Sequence, residues 1–223
     1  MSVHPTAIVA EGAKIPASCT VGPYCTIGPN VVLGERCVLV SHVVLDGHLT
    51  MGTNNGVFPF ACLGMAPQDL KYKGEPTQLV IGDNNEIREY VTISRGTAGG
   101  GGVTRVGSGC LIMAYTHIGH DSVIGDGVIL ANAATLAGHV TVEDYAVVGA
   151  LNPVHQFCTI GKYAYIGGGT TITLPLPESS AIIATVSFAV PSQAIGWKRF
   201  AGVNAKWTCA AAAMSGPNRR STM

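Results

Sequence analysis

The sequence predicts an all-β protein, a parallel β-helix wound from hexapeptide repeats, and three observations carry that reading. From 106 to 172 every sixth residue is aliphatic: Val106, Ile112, Ile118, Ile124, Leu130, Leu136, Val142, Val148, Val154, Ile160, Ile166 and Ile172. A period of six is neither helical nor a plain alternating strand, and fixed repeats this short mark a β-helix. The composition agrees, with only 12% charged residues and 29 Gly in 223 residues, as expected of a prism that buries a residue column along its whole length. Finally, Gly often follows the aliphatic residue (Gly107, Gly119, Gly125, Gly149, Gly161, Gly167), which suggests corners with backbone conformations that a Cβ disfavours.

In this reading each hexad forms one flat face and three hexads close a triangular coil. The repeat starts early, with Val9, Ile15, Val21, Ile27, Leu33, Leu39, Leu45, Met51, Val57 and Leu63 in unbroken phase. Pro5, Pro16, Pro23 and Pro29 fall off the inward column, at or near corners where a fixed φ is tolerated. A polar interruption follows over 64–77, after which the repeat resumes in phase at Ile81, Ile87 and Ile93, as if a whole coil's length formed an outward loop. A second interruption, the Gly-rich stretch 95–104, shifts the phase by one before Val106. Long loops on a rigid scaffold usually carry function. The repeats suffice for roughly eight coils, a prism on the order of 40 Å long at the spacing of neighbouring strands. The solenoid is expected over 1–173. The remaining 174–223, with Pro175, Pro177, Pro191 and both Trp, reads as an irregular tail that caps the open end, with a helix possible over about 196–214.

Lys plus Arg and Asp plus Glu number 13 each, so nothing global argues for nucleic acid or an anionic membrane surface. No apolar run is long enough to span a bilayer, and the N-terminal residues lack the basic start and apolar centre of a signal peptide. Of seven Cys, five (Cys19, Cys25, Cys37, Cys110, Cys158) stand two residues before a repeat aliphatic. That spacing reads as a second inward column of small residues, and so many free thiols suggest a reducing, cytoplasmic compartment.

The chemistry-bearing residues concentrate late in the chain. His4, His42 and His48 read as surface decoration, whereas His117, His120, His139 and His155 are expected to converge on one ridge, with Asp121 available to orient an imidazole. Two chemistries fit such a ridge: a zinc site needing about three His, or an acyl transfer needing one general base and an oxyanion donor. Spacing alone does not decide between them.

Several segments resemble those of the UDP-N-acetylglucosamine O-acyltransferases: SHVVLDGH (41–48), QDLKYKGEPT (68–77), RGT (95–97), HIGHD (117–121), LANAATLAGHV (130–140) and VHQFCTIG (154–161). QDLKYKGEP is the specific one, because an outward loop has no packing reason to repeat a sequence. The resemblance implies a left-handed coil, an exception to right-handed crossovers. It also implies a homotrimer with sites between prisms and no metal or organic cofactor. The implied reaction moves a 3-hydroxyacyl group from acyl carrier protein to the 3-hydroxyl of UDP-GlcNAc, the first step of lipid A biosynthesis.

By position, His120 matches the family's general base, Asp121 its orienting partner, and Gly138 the residue whose N–H holds the thioester oxyanion. Asp69 and Lys71 match sugar-nucleotide contacts. His117, His139, His155 and Gln156 match residues lining the nucleotide and acyl cleft. Gly168 stands where the family sets acyl length, so a missing side chain there should admit a longer chain than Met would. Arg199, in Gly196-Trp197-Lys198-Arg199, matches the start of the family's helical domain, beyond which 200–223 departs from the pattern; Ser94 replaces a His that often precedes RGT. Blander readings stand beside these: Lys71 and Lys73 as a solvated loop face, Gly138 as a corner, Gln156 as a partner for coil backbone. The alternatives in function are a γ-type carbonic anhydrase-like zinc enzyme and an inactive scaffold. A sister enzyme acylating the glucosamine nitrogen would carry an extra N-terminal domain.

Overall fold

In the computed structural model, which describes residues 2–176, 178 and 181–182, parallel pairing is the only strand geometry. The strands, mostly two residues long, stack into three sheets of ten, eight and seven, and successive hexads step from one sheet to the next. Ile118 sits on Ile93 and under Leu136, which in turn carries Val154, so the aliphatic of each hexad lies in register with that of the neighbouring coil. These residues are 0–2% exposed and form one continuous core. The inward column fades only at the first coil, where Val9 is 36% exposed because no coil lies beneath it.

The second inward column behaves as the spacing predicts. Cys19, Cys25, Cys37, Cys110 and Cys158 are buried free thiols, and burial pushes Cys110 up to about 11. Most of the rest of this column is apolar, but at Asn55 and Asn85 it is polar and joins coils. Asn55 Nδ2 donates to Gly82 O at 2.9 Å, Asn55 Oδ1 accepts the Asn85 N–H at 2.9 Å, and Asn85 Oδ1 accepts the Cys110 N–H at 2.8 Å. Among the described residues no buried side-chain polar atom lacks a partner, as a dry interior requires.

The glycines have a different reason from the predicted one. Most of the left-handed corner positions are held by non-Gly residues such as Tyr24, His42, Asn54, Asp121, His139 and Phe157, with Gly at a few such as Gly109, Gly127 and Gly169. The Gly after the aliphatic is instead a close-approach residue: a Cβ at Gly119 would lie 2.6 Å from the Ala137 carbonyl carbon one coil on. The corner side chains stack along the prism edge, and Tyr24, His42, Phe60, Tyr90 and Tyr115 form a ladder with ring centroids 4.8–4.9 Å apart.

The first interruption is shorter than a coil. Ile81 pairs with Met51, not Leu63, so the strand after the loop lies on the next face and the extra length is two hexads. Val106 then pairs with Ile81, and the second loop, with a short 3-10 turn over Ala98–Gly100, takes up the phase slip. The ladder also runs past 173: Leu176 bridges Ile160, and the strand Ala181–Ile182 pairs with Tyr165–Ile166. The predicted helix over 196–214 lies outside the described residues. No helix among them is long and apolar enough to cross a membrane.

Candidate active site

His120 and Asp121 form the corner that follows the strand His117–Ile118. Asp121 takes a left-handed φ of 58°, which turns its carboxylate back under the corner, where the side chain is 0% exposed. Oδ2 lies 2.8 Å from His120 Nδ1. With a carboxylate as acceptor, Nδ1 carries the proton and Nε2 keeps its lone pair. The remaining carboxylate capacity goes to the second interruption: Thr97 N donates to Oδ1 at 2.8 Å and Thr97 Oγ1 to Oδ2 at 2.6 Å.

Gly138 lies one coil above His120. A Cβ there would stand 2.6 Å from His120 Cε1 and 2.7 Å from Nε2, so the glycine leaves the ring its place. No hydrogen bond among the described residues uses the Gly138 N–H. His139 follows on the Asp121 corner column, with Nε2 3.8 Å from Oδ2, its ring edge-on to His120 at 5.2 Å and stacked on Phe157 at 4.6 Å. His120 and His139, expected on one ridge, thus meet edge to face across adjacent columns, because the coil repeats at 18 residues and these two are 19 apart.

The two interruptions meet in front of this corner. Asp69, Lys71, Tyr72 and Glu75 from the first, Thr97, Ala98 and Gly99 from the second, and His139 line a cleft of about 190 Å³. The first loop is shaped by Asp69, whose Oδ1 accepts the Lys71 N–H at 2.9 Å.

The remaining predicted residues divide. His117 lies on the strand beneath His120, its Nδ1 2.8 Å from Thr92 Oγ1, and burial followed by the nearby His120 lowers its pKa. His155 and Gln156 are exposed, two coils above His117 and one above His139, and His155 Nδ1 lies 3.1 Å from the Gln156 carbonyl. Gly168 follows Ile166 of the ten-stranded sheet, whereas His120 follows Ile118 of the eight-stranded one, so within one chain they occupy different corners. Arg199 lies outside the described residues. The residues that sequence reasoning left without a role are Thr97, Tyr72 and Arg95; the signal available was that RGT and QDLKYKGEP both fall in loops. His120, Asp121 and His139 also place three donor atoms within 4.8 Å of one another, but both carboxylate oxygens are already engaged by Thr97 and His120.

The hexapeptide family described as "Bacterial transferase hexapeptide (six repeats)" matches over 12–47 and 104–138. Among curated proteins, the acyl-(acyl-carrier-protein)–UDP-N-acetylglucosamine O-acyltransferase of Anaeromyxobacter dehalogenans is 50% identical over 199 residues, 89% of this chain and 77% of that protein. The chain belongs to the UDP-N-acetylglucosamine O-acyltransferase family. The family member from Aliarcobacter butzleri is 56% identical over 79% of this chain and 68% of its own length. A crystal structure of the family member from Moraxella catarrhalis RH4 superposes with a TM-score of 0.76 at 45% identity, covering 77% of this chain and 67% of that one. The UDP-N-acetylglucosamine O-acyltransferase fold is the left-handed parallel β-helix, and the coil described above has that form.

Proposed function

We propose that this protein transfers a 3-hydroxyacyl group from acyl carrier protein to the 3-hydroxyl of UDP-GlcNAc, with His120 as general base. The observation that carries the reading is the seat of His120: Nδ1 tied to buried Asp121 at 2.8 Å, and Nε2 packed over Gly138 beside a cleft shared by both loops. Nε2 takes the proton from the sugar hydroxyl as its oxygen attacks the thioester carbonyl. The Gly138 N–H, without a partner among the described residues, donates to the oxyanion of the tetrahedral intermediate. Collapse of the intermediate breaks the C–S bond, and His120 returns its proton to the departing thiolate. Asp69 and Lys71 serve the sugar nucleotide from the first loop, and His117, His139, His155 and Gln156 line the path of nucleotide and acyl chain.

One prism presents Gly168 on a corner other than that of His120, which supports a homotrimer in which acyl length is measured across neighbouring protomers. The buried free thiols support a cytoplasmic location. The test is acyl transfer from a panel of 3-hydroxyacyl carrier proteins to UDP-GlcNAc by wild type and His120→Ala. Transfer by wild type that collapses in the variant is expected; equal rates in both would overturn the assignment of the base.

A further inference from the structure

The second interruption departs from the repeat in length and phase, and the acyl-transfer chemistry above leaves it without a task. Its contacts point to one. Thr97 donates twice to the buried Asp121 carboxylate, N–H to Oδ1 at 2.8 Å and Oγ1 to Oδ2 at 2.6 Å. At the far end of the same loop, Thr104 Oγ1 accepts the Asp121 N–H at 2.8 Å. The loop thus grips both the side chain and the main chain of one residue. The Thr97 hydroxyl also accepts the Gly100 N–H at 3.1 Å, which orients its own proton toward the carboxylate, so that its single donor is committed to Asp121. A Cβ at Gly100 would run into that carboxylate, so the loop seats directly on it.

We propose that the 95–104 loop is a clamp on the His120–Asp121 pair, with Thr97 as a positioning residue that acts through Asp121. A carboxylate held only by His120 could turn about its terminal torsion and accept at either oxygen, and the imidazole would lose its fixed plane and tautomer. Two donors from a neighbouring loop remove that freedom. The single contact to Nδ1 then becomes a defined direction for Nε2, and misplacing a catalytic group by about 1 Å can cost on the order of a hundredfold in rate.

The proposal rests on the acyl-transfer reading, and its test separates the two. Thr97→Val keeps the shape of the side chain and removes the hydroxyl donor. It is expected to lower kcat tenfold or more, with KM for UDP-GlcNAc within about twofold, and Thr97→Ser, which restores the hydroxyl, should recover most of the loss. A Thr97→Val protein with kcat within twofold of wild type, or a Thr97→Ser protein as slow as Thr97→Val, would overturn it. Gly100→Ala tests the clamp from its other side, because its Cβ would press on the Asp121 carboxylate and displace it: kcat should fall, and full kcat would contradict the clamp. One arm needs no turnover. In NMR spectra of ¹⁵N-histidine-labelled protein, the His120 Nδ1–H signal, assigned by its loss in His120→Gln, should be sharp in wild type and Thr97→Ser and broadened by exchange in Thr97→Val. An unchanged signal in Thr97→Val would refute the positioning role, whereas absent wild-type transfer with the expected spectra would refute only the acyl-transfer reading.

Discussion

Arg95 and Tyr72 join the two interruptions of the repeat: the guanidinium Nε and Nη2 donate to the Tyr72 hydroxyl at 3.0 and 2.8 Å. Nη1 donates to the Gly64 carbonyl at 2.8 Å, and the Tyr72 hydroxyl donates onward to the Glu75 carbonyl at 2.8 Å. The loop bearing Asp69 and Lys71 is thereby fastened to the loop that holds Asp121. Tyr72→Phe removes the shared acceptor while keeping the ring. Hydrogen bonds to charged groups contribute about 1.5–3 kcal/mol, so KM for UDP-GlcNAc should rise roughly tenfold or more, with kcat changed less. Steady-state kinetics decides; a fall in kcat at constant KM would show that the loop does not serve the sugar nucleotide.

Gly138→Ala should separate folding from catalysis. The added methyl would meet only the His120 ring among its nearest neighbours, 2.6 Å from Cε1, and that side chain is 19% exposed and can swing aside. The prism should melt within a few degrees of wild type while kcat drops by about a hundredfold, because the base is displaced. Retained kcat would mean that the ring and this glycine do not cooperate.

The asparagine ladder gives a stability prediction. Asn85 Oδ1 accepts the Cys110 N–H at 2.8 Å in the interior, and Nδ2 donates to the half-buried Gly107 carbonyl at 3.0 Å. Asn85→Ala strands these two backbone groups at about 1–3 kcal/mol each. The melting temperature should fall by roughly 4 °C or more for a chain of this size. Calorimetry showing a shift under one degree would contradict the accounting.

His117 should set an acid limit on stability. Burial, with the adjacent His120 second, holds its imidazole below the ordinary 6.5. The unfolded chain therefore binds this proton more readily than the folded one, so stability falls as pH drops below 6.5 and stops falling from this source once pH passes the lowered folded value. His117→Gln should flatten the decline of melting temperature between roughly pH 7 and 5. Parallel curves for the two proteins would exclude His117 as the source.

The prism was legible from spacing because a hexad records, within six residues, which side chain faces inward. Ile112, Ile118 and Ile124 state this locally, and the cysteines two positions earlier state the second column in the same way. Resemblance of HIGHD and LAGHV then marked His120, Asp121 and Gly138 without any knowledge of distance. What spacing misjudged were relations between coils: the glycines answer to backbone one coil away, and His139 stacks in the column of Asp121.

By itself, then, the sequence determined the solenoid, its small buried thiols and the identity of the corner bearing the proposed base. Only the tertiary structure decided that the first loop adds two hexads, that Thr97 closes on Asp121, and that Arg95 reaches Gly64 and Tyr72. The reason is physical. Strand faces follow from a repeat shorter than one coil, whereas these contacts join residues 23 to 31 positions apart and exist only once the coils are stacked.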